Sequence, residues 1–165
     1  MNKGFLIIIL FTSLFSFSQS KTAHINYSQL VLSMPETKQA DSLLKQLTQN
    51  YQAELTRLES EYKAKSDKYQ KEEATLPEAT KQLRLKELKD AEATYAKFKE
   101  AAQKDISEKD NALFNPIFEK AKETVTGVAK SKGYDYVIDS SKGNYVYMNP
   151  KDDLMELVKK KMGLD

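Results

Sequence analysis

Cysteine and tryptophan are absent from the 165 residues, and histidine occurs once, at His24. Without cysteine there is no disulfide framework, no thiolate nucleophile, no cysteine-based zinc site and no residue for a lipoprotein acyl anchor. A lone histidine in a strand-like segment reads as a structural residue, so the sequence assigns no metal ligands and no catalytic base. Glycine is scarce as well, five in all and none between Pro35 and Asn115. There is no Gly-x-x-x-x-Gly-Lys-Ser/Thr loop, so no nucleotide-driven cycle is expected and no cofactor is implied. Charge of one sign is also lacking: 26 basic residues face 24 acidic ones. That balance gives no compositional support for nucleic acid as a partner.

What is present separates into three periodicities. Residues 1–20 carry a positive start at Lys3, an apolar run from Phe5 to Phe11, and small residues at Ser16, Ser18 and Ser20. This is the three-part pattern of a cleaved secretory signal peptide, with cleavage after Ser18 or Ser20. The apolar stretch is too short to span ~30 Å of hydrocarbon, and no later run of eighteen apolar residues follows. Removal of Lys3 with the leader leaves 26 − 1 = 25 basic against 24 acidic residues. The secreted form is therefore expected to be near-neutral and densely charged.

The long middle region, 35–115, is rich in Lys, Glu, Gln, Ala and Leu, all good helix formers. Apolar residues recur at Leu44, Leu47, Tyr51, Leu55, Leu58, Tyr62 and Tyr69, then at Leu88, Ala91, Tyr95, Phe98 and Ala102. Steps of three and four make a helical stripe on each side of Thr75-Leu76-Pro77-Glu78. Proline suits a first helical turn and not an interior, so one helix ends near Ala74 and another starts near Pro77. Thr75 and Glu78 have capping-box spacing, and Ser33-Met34-Pro35-Glu36 repeats the same grammar. Folded about Leu76, the chain brings Pro35 and Pro116 together as the hinge of an antiparallel helical hairpin. At ~1.5 Å per residue the arm extends roughly 60 Å. Pro116 is expected to kink its helix and not end it, because the stripe continues through Ile117, Phe118, Ala121, Val125 and Val128.

The flanks, 21–34 and 116–165, form the body. His24-Ile25-Asn26-Tyr27 is strand-like, and Asn26 or Ser28 caps a short helix bearing Leu30, Val31 and Leu32. Lys132-Gly133 stops the long helix. Tyr136, Val137 and Ile138 then read as a strand, and Tyr145, Val146 and Tyr147 as a second one returning after the turn at Ser140–Gly143. Asp135 and Asp139 share a face in that reading and count as surface polar positions. A final helix begins at Asp152 or Asp153. A core of 14 + 50 = 64 residues is marginal without disulfides, and three short strands leave edges unpaired. Both features predict an obligate oligomer. The fold class expected is α+β, a long antiparallel coiled-coil hairpin arm on a small β-containing oligomerisation body.

Carboxylates are scattered among lysines at helical spacings, the pattern of solvated ion pairs, so no enzyme is expected. Long arms on an oligomeric body enclose space in which an unfolded chain can be held by many weak contacts. Tyr51, Tyr62, Tyr69, Tyr95 and Phe98 are the arm positions to consider for client contact, or simply for holding the two helices together. Leu113, Phe114 and Phe118 belong to core or hinge packing.

Several segments carry a resemblance: Pro116-Ile-Phe-Glu-Lys, Lys132-Gly-Tyr-Asp-Tyr-Val-Ile-Asp139, Tyr145-Val-Tyr with Asn149-Pro, Asp153 with Leu157-Val, and the opening His24-Ile-Asn-Tyr. Together they resemble the Skp/OmpH family of periplasmic chaperones. The resemblance implies a homotrimer whose arms clasp unfolded outer-membrane proteins without ATP, cofactor or catalytic residues. It departs from the basic members of that family at the arm tip, where Glu61 to Asp90 holds eight basic and seven acidic residues. A near-neutral tip gives membrane or lipopolysaccharide contact no electrostatic support, and client capture should be less salt-sensitive. The rival reading is a structural or adaptor coiled coil of the cell envelope.

Overall fold

The computed structural model describes residues 20–164. The signal-peptide reading therefore lies outside the described residues, Ser20 excepted. Among the described residues the first elements are strand β1 (Thr22–Ile25) and a short helix α1 (Tyr27–Ser33), followed by the long helix α2 (Pro35–Glu72). A 3-10 turn at Glu73–Thr75 leads to helix α3 (Glu78–Ser131), 54 residues long. Strand β2 (Tyr136–Asp139) and helix α4 (Met155–Met162) complete the chain.

Asn26 caps α1, its side chain accepting from the Gln29 amide at 2.9 Å. Pro35 sits in the first turn of α2, where its missing N–H costs nothing, and Glu36 complements the helix dipole there. The two capping boxes expected from the sequence do not form. Met34 and Pro77 are the cap residues and neither helix start has a side-chain cap. The Thr75 and Ser33 hydroxyls instead donate back to the Glu72 and Leu30 carbonyls, at 2.9 and 2.6 Å. Ser33 lies one residue and Thr75 two residues before the cap, on the closing turn of the preceding element, and so each bonds that element's open carbonyls. Gly133 and Gly163 take left-handed φ of 72° and 69° and end α3 and α4.

The body differs from expectation in its sheet. β1 and β2 pair in parallel, Thr22 opposite Tyr136 and Ile25 opposite Asp139. The other edge of β1 is taken by a bridge between His24 and Asp153, with the Leu154 amide donating to the His24 carbonyl. Tyr145, Val146 and Tyr147 are not a strand; residues 143–149 run irregularly after a 3-10 turn at Ser140–Lys142. The physical reason lies in the turn. Asp139 caps it and Gly143 leaves it in a left-handed conformation, φ 68°, so the chain heads away from β2 and does not fold back along it. No strand covers the outer edge of β2 among the described residues.

One core forms, from Ala23, Ile25, Leu30, Val31, Met34, Ala40, Ile117, Ala121, Val125, Val128, Ala129, Leu154, Met155 and Val158. It draws on both chain flanks and the base of the two long helices. Leu113 and Phe114 pack against it in part, while Phe118 stays exposed with its ring 6.2 Å from that of Phe114. Thr37 is buried and donates to the Val31 carbonyl at 2.6 Å, locking α1 to the first turn of α2. Asp135 is exposed, as the surface-polar reading has it, and Asp139 is half-buried; both also tie down backbone. Asp135 precedes β2 and accepts from the Lys21 amide at 2.9 Å. Asp139 accepts from the amides of Tyr27 and Ser141. Burial pushes the Asp139 carboxyl up, but these hydrogen bonds outweigh it and its pKa is lowered.

Candidate functional site

Above the core the two long helices run side by side, and the character of the surface changes. Between Asp41 and Pro116 a single side chain, Ala102, is buried. The stripe of apolar residues read from the sequence forms the seam: Leu44, Leu47, Tyr51, Leu55 and Leu58 on α2 and Leu88, Ala91, Tyr95 and Phe98 on α3 are half-buried. A seam one residue wide on each helix leaves the remaining faces to solvent. At ~1.5 Å per residue the 38 residues of α2 span roughly 57 Å. Pro116 lies within α3, which continues through it, and near the base Lys120 pairs with Glu36 across the two helices.

The five aromatic positions of the arm divide by their partners. Tyr51 and Phe98 face each other edge to face, centroids 5.8 Å apart and planes at 67°. The Tyr51 hydroxyl donates to Asp105 at 2.8 Å, a bond to a carboxylate that raises the phenol's pKa. This pair is committed to holding the helices together. Tyr69 donates to Glu73 one turn along its own helix at 3.1 Å, and desolvation followed by that bond raises its pKa. Tyr62 and Tyr95 have no hydrogen-bond partner among the described residues. With Glu59 and Glu92 they line a notch of about 220 Å³ between the helices.

Some charged residues of the arm pair along their own helices, while most stand alone in solvent. Arg57 bonds Glu54 at 2.6 Å and also Glu61, and Arg84 bonds Glu87 at 2.8 Å. These bonds lower the pKa of Glu54 and Glu87 and raise those of the two arginines. Exposed pairs of this kind contribute little to stability and mainly keep the faces hydrated. At the tip, Leu76 is half-buried and Thr75, Pro77 and Glu78 are exposed.

The body offers a second set of features. A cleft of about 330 Å³ between α3 and β2 has an apolar floor that includes Ile25, Val125 and Val137, with Tyr27 and Tyr134 on its rim. Tyr134 donates to Asp152 at 2.8 Å and carries the Lys21 ammonium 4.0 Å above its ring. Large apolar side chains are left in water at Tyr136 (63% exposed), Tyr147 (78%) and Val146, which is fully exposed. The ring of His24 is fixed by a 3.0 Å contact with the Asn149 carbonyl. Sequence reasoning missed the notch, because pairing Glu59-x-x-Tyr62 with Glu92-x-x-Tyr95 requires the register of the hairpin.

Among the described residues no three His, Asp or Glu side chains converge to hold a metal ion. No helix among them is long and apolar enough to cross a membrane.

Comparison with known proteins agrees with this geometry. The chain is 25% identical over 121 residues to the chaperone protein Skp of Photorhabdus laumondii, covering 73% of each protein. It is 24% identical over 139 residues to the chaperone protein Skp of Yersinia enterocolitica, covering 84% of each. Its fold superimposes on the crystal structure of an OmpH-like protein from Caulobacter crescentus CB15 with a TM-score of 0.72 at 14% sequence identity, over 88% of this chain and 85% of that one. The family described as outer membrane protein (OmpH-like) matches residues 21–162, and the chain belongs to it.

Proposed function

We propose that this protein is an ATP-independent holdase of the periplasm, reached through a cleaved signal peptide, which binds unfolded outer-membrane proteins between its arms and keeps them from aggregating. The single observation that carries the reading is the arm: ~75 residues of paired helix with one buried side chain. Such an element adds little to its own core and presents a long, hydrated surface dotted with aromatic and leucine side chains. Many weak contacts along it retain a client by effective concentration and release it without a chemical step. The relatives named as chaperones support the same reading.

The reading includes a homo-oligomer, taken as a trimer, with residues 21–34 and 116–165 as the assembling body and 35–115 as the arm. The open edge of β2 and the exposed Tyr136, Val146 and Tyr147 support it, because both are surfaces that a soluble monomer does not ordinarily leave in water. In that assembly Pro35 and Pro116 serve as the arm hinge. The test is suppression of aggregation when a urea-unfolded outer-membrane barrel is diluted into buffer. Suppression at near-stoichiometric ratio is expected; aggregation unchanged at excess protein sinks the holdase reading in favour of an adaptor. Light scattering with small-angle X-ray scattering on residues 21–165 tests the assembly, which requires a mass of several chains and an elongated profile.

A further inference from the structure

We infer that the secreted chain begins at Lys21 and that its α-amino group, freed by cleavage after Ser20, docks on the Asp135 carboxylate, so that removal of the leader tightens the foot. This rests on the signal-peptide reading proposed above for the cleavage, and on the geometry around Lys21 for what the new terminus does.

Lys21 stands immediately before β1 and is exposed, yet every polar group it has is engaged. Its main-chain nitrogen donates to Asp135 Oδ2 at 2.9 Å, and its carbonyl accepts from the Asp135 amide at 2.8 Å. The side chain is held as well: Nζ donates to the Lys132 carbonyl at 3.2 Å and lies 4.0 Å from the centroid of the Tyr134 ring. Lys132 is the C-cap of α3, where the helix dipole favours a cation. One residue at the head of β1 thus fastens the end of α3 to the approach to β2. Ser20, one position earlier, is exposed and makes no hydrogen bond among the described residues. The grip starts at Lys21.

Asp135 is the second half of the site. Its Oδ2 already faces the Lys21 nitrogen, and no lysine or arginine side chain pairs with it among the described residues. While the leader is attached, that nitrogen is an amide and offers one neutral N–H. Hydrolysis of the Ser20–Lys21 peptide bond by a signal peptidase consumes one water. It leaves a carboxylate on Ser20 and a protonated amine on Lys21, the ordinary state of an α-amine at neutral pH. The donor is in place before the charge arrives. A hydrogen bond between two charged partners is shorter and stronger than one to a neutral donor.

The two cleavage positions that the leader allows differ in this respect. Cleavage after Ser18 leaves two residues ahead of Lys21, moves the ammonium up to ~7 Å along the chain, and keeps an amide opposite Asp135. Cleavage after Ser20 sets the ammonium against the carboxylate. Both partners are exposed, so the gain is small, but it falls on the element that fixes the register of both long helices.

The test begins with the full chain, exported from a Gram-negative host under its own leader, purified from the periplasm and weighed intact. A mass of residues 21–165 is expected. A chain starting at Gln19, or at any other residue, overturns the docking; an uncleaved chain overturns the signal-peptide reading with it, so the two failures are distinguishable. The secreted chain is then Nα-acetylated at mildly acidic pH, where the α-amine reacts ahead of the lysine side chains. Acetylation keeps the N–H donor and removes the charge. Urea unfolding of free and acetylated chains is compared at one protein concentration, in the natural sequence and in Asp135→Asn, which retains an acceptor oxygen. Acetylation should lower the folding equilibrium constant about two- to fivefold in the natural chain and leave Asp135→Asn unchanged. No change in the natural chain, or an equal change in both, overturns the docking. Circular dichroism checks that Asp135→Asn folds; if it does not, the comparison within the natural chain decides.

Discussion

The body and the arm are built from the same helices and obey opposite rules. At the base, α2 and α3 bury Ala40, Ile117, Ala121, Val125 and Val128 against β1, α1 and α4, and the core is closed on several sides. Further out the same two helices share only a thin seam, in which Tyr51, Phe98 and Asp105 are the most fully engaged contact. The lesson is that stability and working surface have been separated along one helix pair. The foot fixes the register, and the arm inherits it.

That division is easiest to break at the foot. Leu30→Ala removes a side chain that is fully buried, and by analogy with other core truncations it should cost about 2–5 kcal/mol. Urea unfolding should show the whole chain losing its midpoint, arm included; an arm that keeps its helicity while the foot melts would show that the two are energetically independent. Pro116→Ala tests the junction. Pro116 is exposed within α3, and replacing it should stabilise the helix by up to ~3 kcal/mol. A thermal midpoint that rises while holdase activity falls would identify the proline as a hinge, whereas a lower midpoint would mark it as a packing residue.

Smaller effects sharpen the comparison. Gly127 lies in the interior of α3 with nothing within 4 Å of the place a Cβ would occupy. Gly127→Ala should therefore stabilise the helix by about 0.5–1 kcal/mol; destabilisation, or a fall in solution mass, would place another chain against that face. Acid should reach the foot through Asp139. The pKa of Asp139 is lowered in the fold, so its contribution is present above the ordinary carboxylate value near ~4 and is lost as pH falls from there through its folded value. An Asp139→Asn variant should lose that part of the acid dependence; an unchanged pH profile would assign it elsewhere. The least effect is expected from Tyr51→Phe, which removes a half-buried bond to Asp105 and keeps the ring against Phe98. No measurable shift in midpoint is expected, and a clear one would mean that the seam depends on that hydrogen bond.

Much of this architecture was legible in the sequence, for reasons that differ by region. The arm announces itself because its seam residues recur with helical period, and Leu44, Tyr51, Leu58, Tyr95 and Phe98 all lie where that period puts them. Pro77 marks the tip because an imino ring admits few other places in a helix. Strand pairing was not legible. Tyr145-Val-Tyr has strand-forming side chains, but whether it becomes a strand depends on which edge is open to it, and Asp139 and Gly143 direct the chain elsewhere. The parallel partnership of β1 with β2 is a contact across more than a hundred residues and leaves no local trace. The helix caps were misread, by one residue at Met34 and two at Pro77, because a hydroxyl near a helix start can equally bond the carbonyls of the turn before it. The notch was hidden for a simpler reason: two Glu-x-x-Tyr units far apart in sequence meet only once the hairpin register is known.

The pairing of Thr22 with Tyr136 has a kinetic side. During synthesis β1 leaves the ribosome more than a hundred residues ahead of its partner β2, and closing so long a loop from a disordered chain is slow. Once α2 and α3 have zipped, however, the intervening residues become two antiparallel rods that return the chain to its starting point. The effective loop then shrinks to a few residues at the foot, and the arm serves as the chain's own assembly jig.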